Sequence, residues 1–207
     1  MTKVKQGIES FLSGKFGNMV FVQRQGKTYV RRAPQRKKDS STPAMLLNQQ
    51  RFARIMSFCG LFKNTIIPRV WTVAADGSSG FRLFQKVNSP AFAPDGTLSD
   101  VSKVQMSTGN LTLPQGLKVS RKAAGSSAVN VSWDVDAELG GIHLKDELLA
   151  VSAGDGKYSD IVDTSITRGT LGGTIELPGD PYPATHIFLF FGSRDGKDYS
   201  PSMCFQI

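Results

Sequence analysis

Seven cations and one aromatic ring stand within fifteen positions: Arg24, Lys27, Tyr29, Arg31, Arg32, Arg36, Lys37 and Lys38, with Phe21 just ahead of them. Guanidinium and ammonium groups at this density neutralise phosphates, and aromatic rings among them stack on bases. The same cluster suits a contact with an acidic protein surface, where charge steers association and fixes register. No recognised nucleic-acid-binding motif accompanies it. The residues therefore leave two readings open: a protein-assembly contact, including one between copies of this chain, or a phosphate-tracking basic hairpin.

Catalytic constellations are sparse. The two histidines, His143 in a glycine-rich connection (GGIHLKD) and His186 at the head of an apolar run (THIFLFF), read as structural or surface residues. No His-x-x-x-His or paired-cysteine spacing offers a zinc site. Asp134, Asp136 and Glu138 alternate in WDVDAE, which would set three carboxylates on one strand face. Such a face can hold Ca²⁺, although a solvated outer face is the plainer expectation. The glycines Gly7 and Gly14 are six residues apart, where a Walker A loop needs four, and Phe16 stands where Ser or Thr would meet Mg²⁺. Nothing resembles Gly-x-Ser-x-Gly. The expectation is a chain without catalytic residues, metal or cofactor. Cys59 and Cys204 are too few for a disulfide framework and are expected as buried free thiols.

Several elements must position the basic cluster. Residues 19–23 and 28–32 are β-rich runs about Gln25-Gly26, a hairpin signature, and 14–18 (GKFGN) is a turn. Residues 1–13, with Ile8, Phe11 and Leu12, read as a short amphipathic turn or arm. Residues 33–41 read as a basic loop. Thr42-Pro43 then opens a helix, since threonine caps free amides and proline suits the first helical position. A broad apolar stripe follows at Leu46, Leu47, Ala53, Met56, Gly60 and Leu61, widened by Phe52, Ile55, Phe58, Cys59 and Phe62. That spacing predicts an amphipathic helix laid on a core, stopped by Pro68. Residues 66–75 fit a strand or a second helical segment, 81–87 a short helix, and 101–106 a strand.

From Leu111 onward the pattern is short alternating runs divided by turn residues: 117–121, 128–135, 147–153, 157–162, 170–177, 185–191 and 202–207. Seven such runs predict an immunoglobulin- or fibronectin III-like β-sandwich, the latter preferred because no cysteine pair suits an inter-sheet disulfide. Val129, Val131 and Trp133 would face inward, as would Ile187, Leu189 and Phe191. The expected class is α+β, mostly β, with a basic hairpin-plus-helix module at 1–110 and a β-sandwich at 111–207.

Charge follows the same division. The chain carries +8 overall, but residues 1–70 hold fourteen Lys/Arg against two Asp/Glu, and 71–207 hold eleven against fifteen. This asymmetry points to a polyanion or to acidic regions of neighbouring subunits. No secretory apolar segment opens the sequence, and the longest apolar run, 187–191, is too short to span a bilayer. A cytoplasmic or virion setting without membrane contact is expected.

Gly14-Lys15-Phe16-Gly17-Asn18, Gly26, Tyr29 to Arg32, Pro34, Thr42-Pro43-Ala44, Gln50-Arg51 and Phe52 resemble a family of uncharacterised Bacteroidetes proteins of about this length. Arg168-Gly169, Leu177-Pro178, His186, Phe190-Phe191, Asp195-Gly196 and Ser200 fall in comparable order, so the likeness covers most of the chain. Met45 departs from the glutamine more usual there. The resemblance implies a bacterial or phage source and little chemistry. A non-enzymatic structural or assembly protein is the leading expectation, such as a phage virion or mobile-element component, because such proteins often join a sandwich to an arm that grips a neighbour; that step is analogy. Nucleic-acid binding through the basic hairpin is the alternative. A third reading, glycan or surface binding, would use Tyr158, Tyr182 and Tyr199.

Overall fold

A computed structural model describes residues 2–3, 13–35, 41–123, 125–135, 141–178 and 183–207. The expected arm at Ile8, Phe11 and Leu12 lies outside these residues, as do Arg36, Lys37, Lys38, Asp136, Glu138 and Tyr182. The fold is mixed α+β with strands predominating. The chain divides into two compact units, Met1–Thr42 and Pro43–Ile207. The division expected at 110/111 falls inside the second unit.

The first unit is a four-stranded antiparallel sheet in the order β1-β4-β3-β2. Its strands are β1 (Thr2–Lys3), β2 (Gly14–Phe16), β3 (Met19–Arg24) and β4 (Lys27–Arg32). The hairpin expected about Gln25-Gly26 is present: Arg24 pairs with Lys27, and both turn residues take positive φ, 51° and 69°. Two left-handed residues in a two-residue loop match the right-handed twist of the flanking strands. Little is covered here. Among residues 13–35 only Thr28 and Ala33 are buried.

The second unit opens with helix α1 (Pro43–Leu61), starting at the proline as expected. Gly60 does not interrupt it, and it ends before Pro68 is reached. Residues 66–75 take the helical alternative. A π-turn, Ile67–Trp71, leads into α2 (Thr72–Ala74), and α3 (Gly80–Asn88) follows behind a Ser79 cap. Pro68 sits at the start of its segment, where a missing N–H leaves no bond unmade. The strand expected at 101–106 does not form. The Asp100 carboxylate accepts from the Ser102 amide at 2.9 Å and starts a 3₁₀ turn, Val101–Lys103, instead.

Among the described residues, eight strands complete the unit. A three-stranded sheet, order β10-β6-β5, is built from β5 (Lys118–Arg121), β6 (Ala128–Ser132) and β10 (Gly172–Glu176). A five-stranded sheet runs β12-β11-β7-β8, from β7 (Glu147–Gly154), β8 (Lys157–Tyr158), β11 (His186–Gly192) and β12 (Met203–Gln206), with β9 (Val162–Thr167) also on β7. The single run expected at 157–162 is thus two strands.

β7 and β11 are buried on both faces, which is why 187–191 reads as unbroken apolar sequence. One face, Leu148, Ala150, Ile187, Leu189 and Phe191, packs with Val129, Val131 and Ile175 of the smaller sheet and with Trp133. The other, Leu149, Val151, Phe188 and Phe190, packs with the helical residues Ile55, Cys59, Phe62, Trp71 and Phe84. Polar ties hold the helical layer down. Trp71 Nε1 donates to the Met106 carbonyl at 2.8 Å, and the Met106 amide donates to Ser202 Oγ at 2.8 Å. No helix among the described residues is long and apolar enough to cross a membrane.

Candidate partner-binding surface

The register of the first unit sorts its side chains. In an antiparallel ladder, directly opposed residues project to the same face, and successive residues alternate. Val20 opposes Arg31 and Lys15, Val22 opposes Tyr29, and Arg24 opposes Lys27. One face therefore carries Lys15, Arg24, Lys27 and Arg31 around Tyr29 and the two valines. The other carries Phe16 opposite Met19 and Phe21 opposite Val30, with Gln23, Thr28 and Arg32 at its margins. Arg31 and Arg32, adjacent in sequence, thus serve opposite faces.

Of the basic cluster, the fold brings Arg24, Lys27, Tyr29 and Arg31 together and adds Lys15. Arg36, Lys37 and Lys38 lie outside the described residues. Among the described residues, none of Lys15, Arg24, Lys27 and Arg31 makes an ion pair, and all four are exposed. The apolar face is equally open: Phe16 is 75% exposed and Met19 46%.

Helix α1 adds a second open apolar surface and corrects the expected buried stripe. Only Ile55 and Cys59 of α1 are buried, while Met45, Leu46, Leu47, Phe52 and Leu61 are all exposed. At 100° per residue the broad stripe resolves into two. Ile55, Phe58 and Cys59 face the core. Met45, Phe52, Ala53, Met56 and Gly60 recur at i, i+7, i+8, i+11 and i+15 along a separate line, which Gln49 at i+4 shares, and none of them is buried. The first eight residues of α1, PAMLLNQQ, contain no charge.

The remaining candidates lie in the second unit. His143 Nδ1 lies 3.1 Å from the nearly buried Asp146 carboxylate, beside an open groove of about 530 Å³. The Ser193 hydroxyl in that groove donates to Asp195 and accepts from the Lys197 and Asp198 amides, so it closes its own loop. His186 Nδ1 is 3.0 Å from Thr185 Oγ1. Asp134 is exposed, and among the described residues no group of three His, Cys, Asp or Glu could hold a metal. Two aromatics expected at loop surfaces belong to the interior: Tyr199 is 4% exposed, and Tyr158 packs edge-on against Phe58 and Phe62. Burial pushes the Tyr158 hydroxyl up to about 12. Both thiols are free. Cys59 is fully buried and Cys204 partly so, and burial raises each to about 11, with the Asp100 charge adding to the effect on Cys204.

No family model, curated protein or solved structure matches this chain. The apolar sheet face and the second α1 stripe escaped the sequence reading. A signal for the first was present: the two-residue turn at Gln25-Gly26 fixes the register, and register fixes which residues share a face.

Proposed function

We propose that this chain is a non-enzymatic structural or assembly protein that holds a partner through its basic N-terminal sheet, with the second unit as its folded body. One observation carries the reading. Among the described residues, the four-stranded sheet has two buried positions in 13–35 and no packed layer of the kind small sheets need for stability, so a partner would supply that layer. A virion or mobile-element component, joining a body to a gripping arm, fits this division. We further read the two sheets of the body as a fibronectin III-like sandwich. Its support is strand order: β5-β6-β10 opposite β12-β11-β7 follows the immunoglobulin scheme, with β8 and β9 added beside β7 in place of a strand beside β10. Light scattering tests the assembly reading. Full-length protein is expected to form oligomers that dissociate when residues 1–41 are deleted; a monomeric full-length chain would overturn it.

The second reading, nucleic-acid binding, is favoured by the exposed cations and Tyr29 sharing one face. It predicts salt-sensitive retention of single-stranded DNA or RNA. Neutralising Lys15, Arg24, Lys27 and Arg31 together is expected to abolish retention, and unchanged retention would sink it.

A further inference from the structure

We infer that the apolar sheet face of one copy, centred on Phe16, Met19, Phe21 and Val30, binds the uncharged stripe of α1 on a second copy. This rests on the assembly reading and names its partner and surface. The two surfaces match in kind, since an apolar sheet face and an apolar helix stripe are the two halves of an ordinary packed layer pair.

They also match in size. The stripe from Met45 to Gly60 rises about 22 Å at 1.5 Å per residue, and the sheet face extends roughly 20 Å along the six-residue strands β3 and β4, with the apolar patch at its Phe16–Met19 end and Gln23 and Thr28 at the other. Ala53 and Gly60 let the helix approach closely; a Cβ placed at Gly60 meets nothing within 4 Å.

Charge selects this pairing over its rivals. The Met45–Gly60 line and the Phe16–Met19–Phe21–Val30 patch are uncharged, with Arg32 at the margin of the sheet face. The opposite sheet face, with Lys15, Arg24, Lys27 and Arg31, would repel its own copy. It is left outward, free for the polyanion of the second reading.

Area is sufficient. Covering the four sheet residues together with Met45, Leu46, Phe52, Ala53 and Met56 removes roughly 700 Å² per contact, given the surface such side chains carry. Two reciprocal contacts reach about 1,400 Å², within the range of stable specific interfaces. Reciprocal exchange closes a two-fold dimer.

Phe16→Cys and Phe52→Cys are prepared as separate variants, mixed, allowed to exchange and mildly oxidised. A covalent dimer in the mixture, absent from either variant alone, is the expected result. Phe21→Glu and Phe52→Glu are each expected to reduce the mass in light scattering from dimer to monomer with far-ultraviolet circular dichroism unchanged. Two outcomes would sink the pairing alone: oligomers that dissociate on deletion of 1–41 but ignore Phe52→Glu, or a Phe16→Cys/Phe52→Cys double variant that closes within one chain. A monomeric wild type would overturn the pairing and the assembly reading together.

Discussion

In Pro43–Ile207, β7 and β11 are covered on one side by helices and on the other by a second sheet, and Trp71, Phe84, Phe188, Phe190 and Phe191 are essentially fully buried. In Met1–Thr42, β2, β3 and β4 also pair in regular register, yet Phe16 and Met19 stand in the open. Charge repeats the contrast. The first unit holds ten Lys/Arg against two Asp/Glu, the second fifteen against fifteen, so the whole net charge of +8 lies on the smaller unit. Its lesson is that strand pattern and stability are separate properties. β-rich runs and a good turn specify a sheet, whereas burial decides whether that sheet stands by itself.

The comparison breaks most visibly at Trp71. Trp71→Ala removes a fully buried ring packed edge-on to Phe84 and orphans the Met106 carbonyl, so it should cost about 3–5 kcal/mol in urea unfolding of the second unit. A loss below about 1 kcal/mol would contradict a closed core there. Gly80→Ala comes next. An added Cβ would lie 2.6 Å from the Thr72 amide nitrogen, backbone that cannot swing aside, and overpacking of this kind costs about 1–3 kcal/mol.

A smaller, pH-dependent effect should also belong to the second unit. The folded state holds Cys59 and Cys204 near 11 against an ordinary 9.0, and Tyr158 near 12 against 10.0. Folding thus favours their neutral forms. That stability is fully present below about pH 9 and lost as pH climbs from there towards 12. Urea midpoints should be flat from pH 7 to 9 and fall above it; a midpoint rising across that window would reverse the sign. Smallest of all, Phe16→Ser in protein dilute enough to be monomeric should shift stability by less than about 0.5 kcal/mol, as for other exposed positions. A larger loss would mean Phe16 is covered within its own chain.

Much of this was legible beforehand where local chemistry decides: the Gln25-Gly26 turn, the helix start at Pro43, and the inward faces of 128–135 and 185–191. Misreadings arose where a third partner decides. The α1 stripe was too broad for one interface because two lines of apolar residues share the helix, one turned to the core and one to solvent. Residues 66–75 are β-branched, but Ile67, Val70 and Trp71 all had to reach one apolar cluster, and a tight helical turn delivers them there. Residues 101–106 alternate, yet the Asp100 side chain claims the Ser102 amide first. For the candidate surface, residue types were readable from sequence. Their sorting required pairing: Arg31 and Arg32 look equivalent in the chain and lie on opposite faces of the sheet.

The central sheet's double coverage has a consequence for synthesis. Trp71, Phe62 and Phe84 leave the ribosome well before Phe188 and Phe190 exist to meet them. At about 5–20 residues per second, the 117 positions from Trp71 to Phe188 take roughly 6–23 s to translate. Throughout that interval the nascent helices expose their stickiest rings, which makes them natural clients for a chaperone, and slowing translation late in the message should lower the yield of native protein.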